Sequence, residues 1–353
     1  MPQRSNIPRR HHYVPQGYLQ NWTDSNGLMA VSINGEIRVT RGATPFAVEN
    51  DLYEFVDLSA ADLRCIDQMA RQIFLPCNPL VDAIVAPIFL NVLYYRVKKH
   101  DWDRDYAAVF KEFEFWPLSQ RRKELYDALR EAAENDVQLP RGVMEAIDTI
   151  TADGYEPLMT KIENDAWPII KEIVNERTAC LRDKHNLTAL LHYLVNQCFR
   201  GPDYLRYIKL FPPPVVREFG VSTDTAKYVR YIMPFYIVND LVRNCNLRKL
   251  LVIKNRTDLE FITTDKPNAI YGYDEMGNIP DIAYFPMSPR IGVLYGYRTA
   301  VNKFIAKYGW EIKDRDLVDW FNREVISGSM RFVFASNAQT LADNGYHIVH
   351  HVG

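Results

Sequence analysis

Glycine is scarce in this chain, at 16 of 353 residues, which argues against a loop-dominated or low-complexity protein. Cysteine is scarce too. The five cysteines (Cys65, Cys77, Cys180, Cys198, Cys245) are scattered, odd in number and free of Cys-x-x-Cys spacing. Thiols in a reducing compartment are therefore expected rather than a disulfide framework. An excess of charge of either sign is missing: the formal net charge is -2, so no global basic surplus advertises nucleic-acid binding, although a local patch stays open. A long apolar run is missing as well. The most apolar stretch, Ile84 to Val97, is interrupted by Pro87, Asn91 and Arg96, and it falls short of the ~20 residues needed to cross a bilayer. No apolar signal-peptide core opens the chain, so a cytoplasmic location without a membrane partner is expected. No phosphate loop, dinucleotide fingerprint, kinase motif set or Gly-x-Ser-x-Gly elbow is found, and no internal repeat.

Apolar and aromatic residues are abundant: hydrophobic types make up 47% of the chain and aromatics 12%, with 21 tyrosines. Mean hydropathy is -0.25, as in globular proteins. The densest stretch is Arg9-Arg10-His11-His12-Tyr13-Val14-Pro15-Gln16-Gly17-Tyr18-Leu19-Gln20-Asn21-Trp22. Tyr13 and Val14 should be extended, because the residue before proline avoids the α region. Pro15 suits the first helical position, and a short helix follows from Gln16 to about Asn21. His11 and His12, in extended backbone, should point to opposite sides. They read either as ordinary backbone-bonded histidines or as a metal ligand or general base.

Further along, Leu28 to Ser32 and Glu36 to Thr40 read as strands around Ile33-Asn34-Gly35, since Asn-Gly between alternating apolar residues is the strongest short hairpin signal. Helical periodicity then dominates: a helix after Asp57 or Ser59 up to Pro76, another over Val81 to Lys99, charged amphipathic helices from Asp101 to Asn135, and further helices over Val137–Ala152, Ile162–Glu176, Leu187–Arg200 and Tyr228–Cys245. From Leu247 the texture changes. Lys249–Asn255, Leu259–Thr264, Ile291–Tyr297 and Arg331–Ser336 read as strands, and Asp316–Ser327 as a helix. The fold class expected is α+β, with a helix-rich middle and a mainly antiparallel sheet formed by the N-terminal hairpin and the C-terminal third. One compact domain over 1–353 is expected, with 101–160 a peripheral helical insertion that offers a surface to a protein partner.

Five stretches in order resemble a mostly bacterial family, domain of unknown function 4238. They are the His11 to Trp22 opening; Gln197, Arg200 and Pro202 at a helix end; Phe261-Ile262-Thr263-Thr264-Asp265-Lys266-Pro267; Pro286-Met287-Ser288-Pro289; and Asn322 with the strand Arg331 to Ser336. Thr264 stands where the family pattern has serine, and Met287 where it has leucine. The resemblance implies a location for a site rather than a reaction.

Each motif places polar groups where an element begins or ends. His11, His12, Asp265 and Asn322 are therefore the candidate catalytic residues, with Gln197 and Arg200 as substrate-binding partners. His11 and Asp265 are the candidate ligands of a divalent metal, and Arg200 can clamp a phosphate or carboxylate. That set suits metal-assisted hydrolysis of a phosphoester, with nucleic acid or a nucleotide as substrate. The alternative is a non-catalytic recognition module of a bacterial conflict or phage-defence system. Each residue also has a plainer reading: Asp265 as a turn-former, Asn322 as a backbone bridge, and Gln197 with Arg200 as a buried network joining helix to sheet. His347, His350 and His351 resemble a metal-binding tract, but a solvated tail is the simpler expectation.

Overall fold

The computed structural model describes residues 10–50, 155–200, 225–273 and 280–346, with scattered positions between them. Most of the expected helices between Asp57 and Ala152, and His347, His350 and His351, lie outside the described residues.

The fold is α+β. In chain order the first elements are β1 (Arg10–His12), the short helix α1 (Gln16–Leu19) continued by a 3-10 turn (Gln20–Trp22), β2 (Leu28–Ile33), β3 (Glu36–Arg41) and β4 (Val48–Asn50). Three helices follow: α2 (Glu156–Val174), α3 (Lys184–Arg200) and α4 (Thr225–Arg243). The last part runs β5 (Arg248–Asn255), β6 (Thr263–Thr264), β7 (Ala269–Tyr273), β8 (Pro280–Ser288), β9 (Ile291–Tyr297), α5 (Arg298–Tyr308), β10 (Glu311–Ile312), α6 (Arg315–Ser327), β11 (Phe332–Ala335) and α7 (Ala338–Asp343). Among the described residues no helix is long and apolar enough to cross a membrane.

Contacts group the chain into two compact units. The first holds Met1–His11, Asn50–Thr160 and Tyr204–Tyr236; the second holds His12–Glu49, Lys161–Asp203 and Ile237–Gly353. Each unit is thus assembled from three separate stretches of chain.

The second unit contains two sheets where the sequence suggested one. Asn34 and Gly35 both take positive φ (52° and 82°), as the tight hairpin turn requires, so β2 and β3 pair antiparallel from Ile33 opposite Glu36. The hairpin does not stay alone. Strand β11 pairs with β2, and β6 with β11, giving the order β3-β2-β11-β6. The N-terminal hairpin and the C-terminal third do therefore share a sheet. The other sheet, β10-β5-β9-β8-β7, is antiparallel except for the β10–β5 pair. Helix α6 supplies Val318, Phe321 and Val325 to a core shared with Ala30, Ile253, Tyr284, Leu294, Val333 and Leu341. Its start is fixed by Asp314, whose carboxylate accepts the N–H groups of Asp316 and Leu317. A smaller apolar cluster joins Leu191 and Val195 of α3 to Val238 and Leu241 of α4 and Tyr295 of β9.

Three differences from the sequence reading have local causes. The Leu259–Thr264 run is β-branched, yet only Thr263 and Thr264 join a ladder. The Phe261 N–H goes instead to the Pro289 carbonyl, and the Ile262 N–H to the side chain of Asn322. Tyr284 to Ser288 is itself strand, because Pro286 sits where β8 carries an irregular register. Pro15 caps α1 rather than entering it.

Candidate functional site

The aromatic opening is tied down by three side chains. Tyr18 Oη shares a hydrogen bond with Thr263 Oγ1 at 2.9 Å and also donates to the Pro286 carbonyl. Asn21 Nδ2 donates to the Met287 carbonyl at 2.9 Å. The Trp22 indole N–H donates to the Phe261 carbonyl at 3.2 Å. Three of the sequence motifs therefore meet: the helix after His11-His12, the Phe261–Pro267 stretch and the Pro286–Pro289 element. Gly17 makes room for this seating, since a Cβ there would lie 3.3 Å from the Trp167 ring of α2. Burial drives the Tyr18 phenol far above its ordinary pKa, so it stays a neutral donor.

The end of α3 joins the same neighbourhood. Tyr193, Gln197 and Arg200 lie one turn apart along one face, at helical spacing. Arg200 pairs with Glu163 of α2; its side chain is 4% exposed whereas the carboxylate is 30% exposed. Burial first, then the proximity of Tyr18 and Glu163, keeps the Tyr193 phenol protonated, while Arg200 opposes the shift. Asn268, just past Pro267, donates its amide N–H to Cys198 Sγ at 3.1 Å. Cys198 in turn donates its own S–H to the Leu194 carbonyl, which settles the Asn268 orientation. Three buried polar atoms of α3 and of the loop after Pro267 find no partner among the described residues: Tyr193 Oη, Gln197 Oε1 and Asn268 Oδ1. Buried polar groups are nearly always bonded, so each of the three is an open hydrogen-bonding position.

The remaining expected residues are placed differently. Both Asp265 carboxylate oxygens accept backbone N–H groups, from Met330 at 3.0 Å and Arg331 at 2.9 Å. Asn322 is fully buried; it accepts from the Ile262 N–H and donates to the Glu260 carbonyl and to Tyr346 Oη. Both act here as side-chain bridges between backbone segments. His12 is half-buried, and its Nε2 accepts from the Gln16 amide at 2.5 Å. His11 is buried and belongs to the first unit, whereas His12, Gln197, Arg200, Asp265 and Asn322 belong to the second. Among the described residues no group of three His, Cys, Asp or Glu side chains is close enough to hold a metal ion.

Sequence reasoning missed Tyr193, Glu163, Asn268 and Tyr18 as site-forming residues. Tyr193 carried a usable signal, being four residues before Gln197 and seven before Arg200 on one helix. Glu163 carried none, since it sits on another helix and pairs only in three dimensions.

No curated protein and no solved structure matches the chain. A family model described as protein of unknown function (DUF4238) matches residues 148–339, a range that contains Gln197, Arg200, Asp265 and Asn322 but not the His11–Trp22 opening. That range is more than half of the chain, and with the motifs in order it places the protein in the DUF4238 family.

Proposed function

We propose that this protein is a recognition module whose α3 face binds a polar ligand offering N–H and O–H donors, a nucleotide or nucleobase being the class that fits. The observation that carries this reading is the pair of buried amide oxygens, Gln197 Oε1 and Asn268 Oδ1, that accept no hydrogen bond among the described residues. An amino-bearing base edge satisfies such acceptors, and the Tyr193 hydroxyl, one turn before Gln197 on α3, both donates and accepts. Arg200, neutralised in part by Glu163, sits at the end of the same face and suits a phosphate or ribose. Leaving a buried acceptor unpaired costs about 1–3 kcal/mol, so a ligand that pairs both gains from each.

Calorimetric titration with the four nucleoside monophosphates tests this. Saturable binding by the parent, weakened about tenfold or more in Gln197→Leu, is the expected result. No binding of any nucleotide, together with a Gln197→Leu variant more stable than the parent, defeats it.

A second reading, metal-assisted phosphoester hydrolysis, is favoured by His12. That imidazole is half-buried and held in place by Gln16, and it can act as a base once the Gln16 amide releases Nε2. Its test is phosphodiester hydrolysis with added divalent metal, compared between the parent and His12→Ala.

A further inference from the structure

The first unit contains an arginine in an unusual position. Arg230, on α4, is among the most deeply buried side chains in the protein, at 2% exposure. Its Nη2 donates to the Leu52 carbonyl and to Tyr231 Oη. Its guanidinium carbon lies 4.6 Å from the Tyr231 ring centroid. Tyr231 in turn is stacked on Tyr155, with centroids 3.6 Å apart and planes 18° from parallel. Nε and Nη1 are buried and have no acceptor among the described residues.

Among the described residues this arrangement lacks the component that normally accompanies it. A guanidinium cannot shed its proton in a protein. A fully buried cation is tolerated when a carboxylate or another anion stands beside it. A backbone carbonyl, a neutral phenol and a ring face supply partial negative charge only. The buried carboxylate described in this unit, Asp62, is bonded to Thr225 Oγ1 at 2.6 Å. Arg230 is also close enough to Tyr155 and Tyr204 for its charge to act on both phenols, yet burial outweighs it and both stay protonated. The described groups around the cation are therefore neutral tyrosine hydroxyls. Such surroundings exclude bulk water, and they strengthen any charge-assisted hydrogen bond formed inside them.

We propose that Arg230 anchors a buried oxyanion site in the first unit, taking inorganic phosphate or the phosphate group of a small phosphomonoester. The unpartnered Nε–H and Nη1–H groups are the donors, and the anion supplies the missing counter-charge. The site is independent of the α3 face and does not depend on the function proposed for it.

The test uses the full chain. Thermal unfolding is followed as sodium phosphate is raised at constant ionic strength, beside matched series of phenyl phosphate, sulfate and acetate. Excluded salts raise the midpoint in proportion to concentration, whereas a site saturates. The expected result is a saturable rise with phosphate that is lost in Arg230→Met. A saturable rise with phenyl phosphate as well identifies an ester-accepting site; one with phosphate alone identifies a site for the free ion. Saturable broadening of the phosphorus NMR line of phosphate by the parent protein gives a readout that needs no variant. A linear, anion-independent rise in the parent with no line broadening overturns the proposal, as does saturation by acetate alone. Under that outcome Arg230→Met should be more stable than the parent, as when a buried ionic group is replaced by a packed apolar one.

Discussion

Asn322 Oδ1 accepts the Ile262 N–H at 3.0 Å, so a helix side chain occupies the position that a neighbouring strand would take. The same amide donates to the Glu260 carbonyl at 2.8 Å and to Tyr346 Oη at 3.1 Å, and Tyr346 donates onward to Asp319 at 2.7 Å. Asn322 therefore holds an irregular stretch of backbone against α6. Asn322→Leu should lower unfolding free energy by about 3 kcal/mol, since two buried backbone groups lose their partner. Asn322→Asp should be no milder, because a carboxylate cannot donate to the Glu260 carbonyl. Urea unfolding of both variants measures this; a loss within the scatter of surface substitutions would show the bridge to be dispensable.

Asp265 makes a parallel case. Its two oxygens fix the Met330 and Arg331 N–H groups at the entry to β11. Asp265→Ala should cost about 2 kcal/mol, and Asp265→Asn about half of that, because the amide keeps one acceptor. Any ligand binding at the α3 face should survive in the folded fraction of both. A metal ligand or general base at this position predicts the reverse: stability kept and activity abolished.

The Arg200–Glu163 pair should be strongly non-additive. Glu163→Gln alone leaves a nearly inaccessible guanidinium without its carboxylate, at a cost of about 3 kcal/mol. Arg200→Met combined with Glu163→Gln should recover most of that loss. A double-mutant cycle in chemical denaturant gives the coupling, and simple additivity would show that the pair does not interact in solution.

His192 should set part of the acid sensitivity. Burial pushes its imidazole down to about 4, against a smaller opposing pull from Asp165. The unfolded chain binds that proton near pH 6.5. Between those values the unfolded state holds more protons, so stability rises with pH and falls as the solution is acidified from 6.5 towards 4. His192→Phe should flatten this limb by on the order of 2 kcal/mol. Unfolding curves of both proteins across that range measure it, and parallel pH profiles would count against a buried neutral His192.

Gly292 in β9 is required for a close approach rather than for backbone freedom. A Cβ there would stand 2.7 Å from the Tyr284 ring and 3.2 Å from Ile253. Gly292→Ala should therefore cost about 1–3 kcal/mol through overpacking, and a Tyr284→Leu partner change should relieve it. Thermal midpoints of the single and double variants decide the matter.

What was legible in the sequence depended on how local the cause was. The β2–β3 hairpin was readable because Asn34-Gly35 alone dictates its turn. Helices α3 and α6 were readable because their apolar faces repeat at helical spacing; the Asp183 and Asp314 caps that start them went unread. Strand β7 and helix α5 were missed, α5 although Val301, Phe304, Ile305 and Tyr308 stand at helical spacing. The 259–262 stretch was misread because β-branched residues announce a strand, whereas its partner, Asn322, lies 60 residues away from Ile262. The site was half legible. Gln197 and Arg200 were found through their motif, but Glu163 and Asn268 become partners only when α2, α3 and the loop after Pro267 come together. In sequence, Asp265 and Asn322 read as element-boundary residues, and a polar side chain there has the same appearance whether it bonds a ligand or the backbone; in the fold both bond the backbone.

The pairing of β2 with β11 sets an order of events during synthesis. Ala30 faces Ala335 across that ladder, so the hairpin leaves the ribosome some 300 residues before its neighbouring strand exists. Throughout that interval Met29, Ala30 and Val31, which are fully covered in the finished protein, are open to any other extended segment. Contacts so distant in sequence close slowly, and chains waiting for them are exposed to aggregation. A nascent-chain chaperone that shields the first fifty residues should therefore raise the yield of this protein more than one that acts on its C-terminal third.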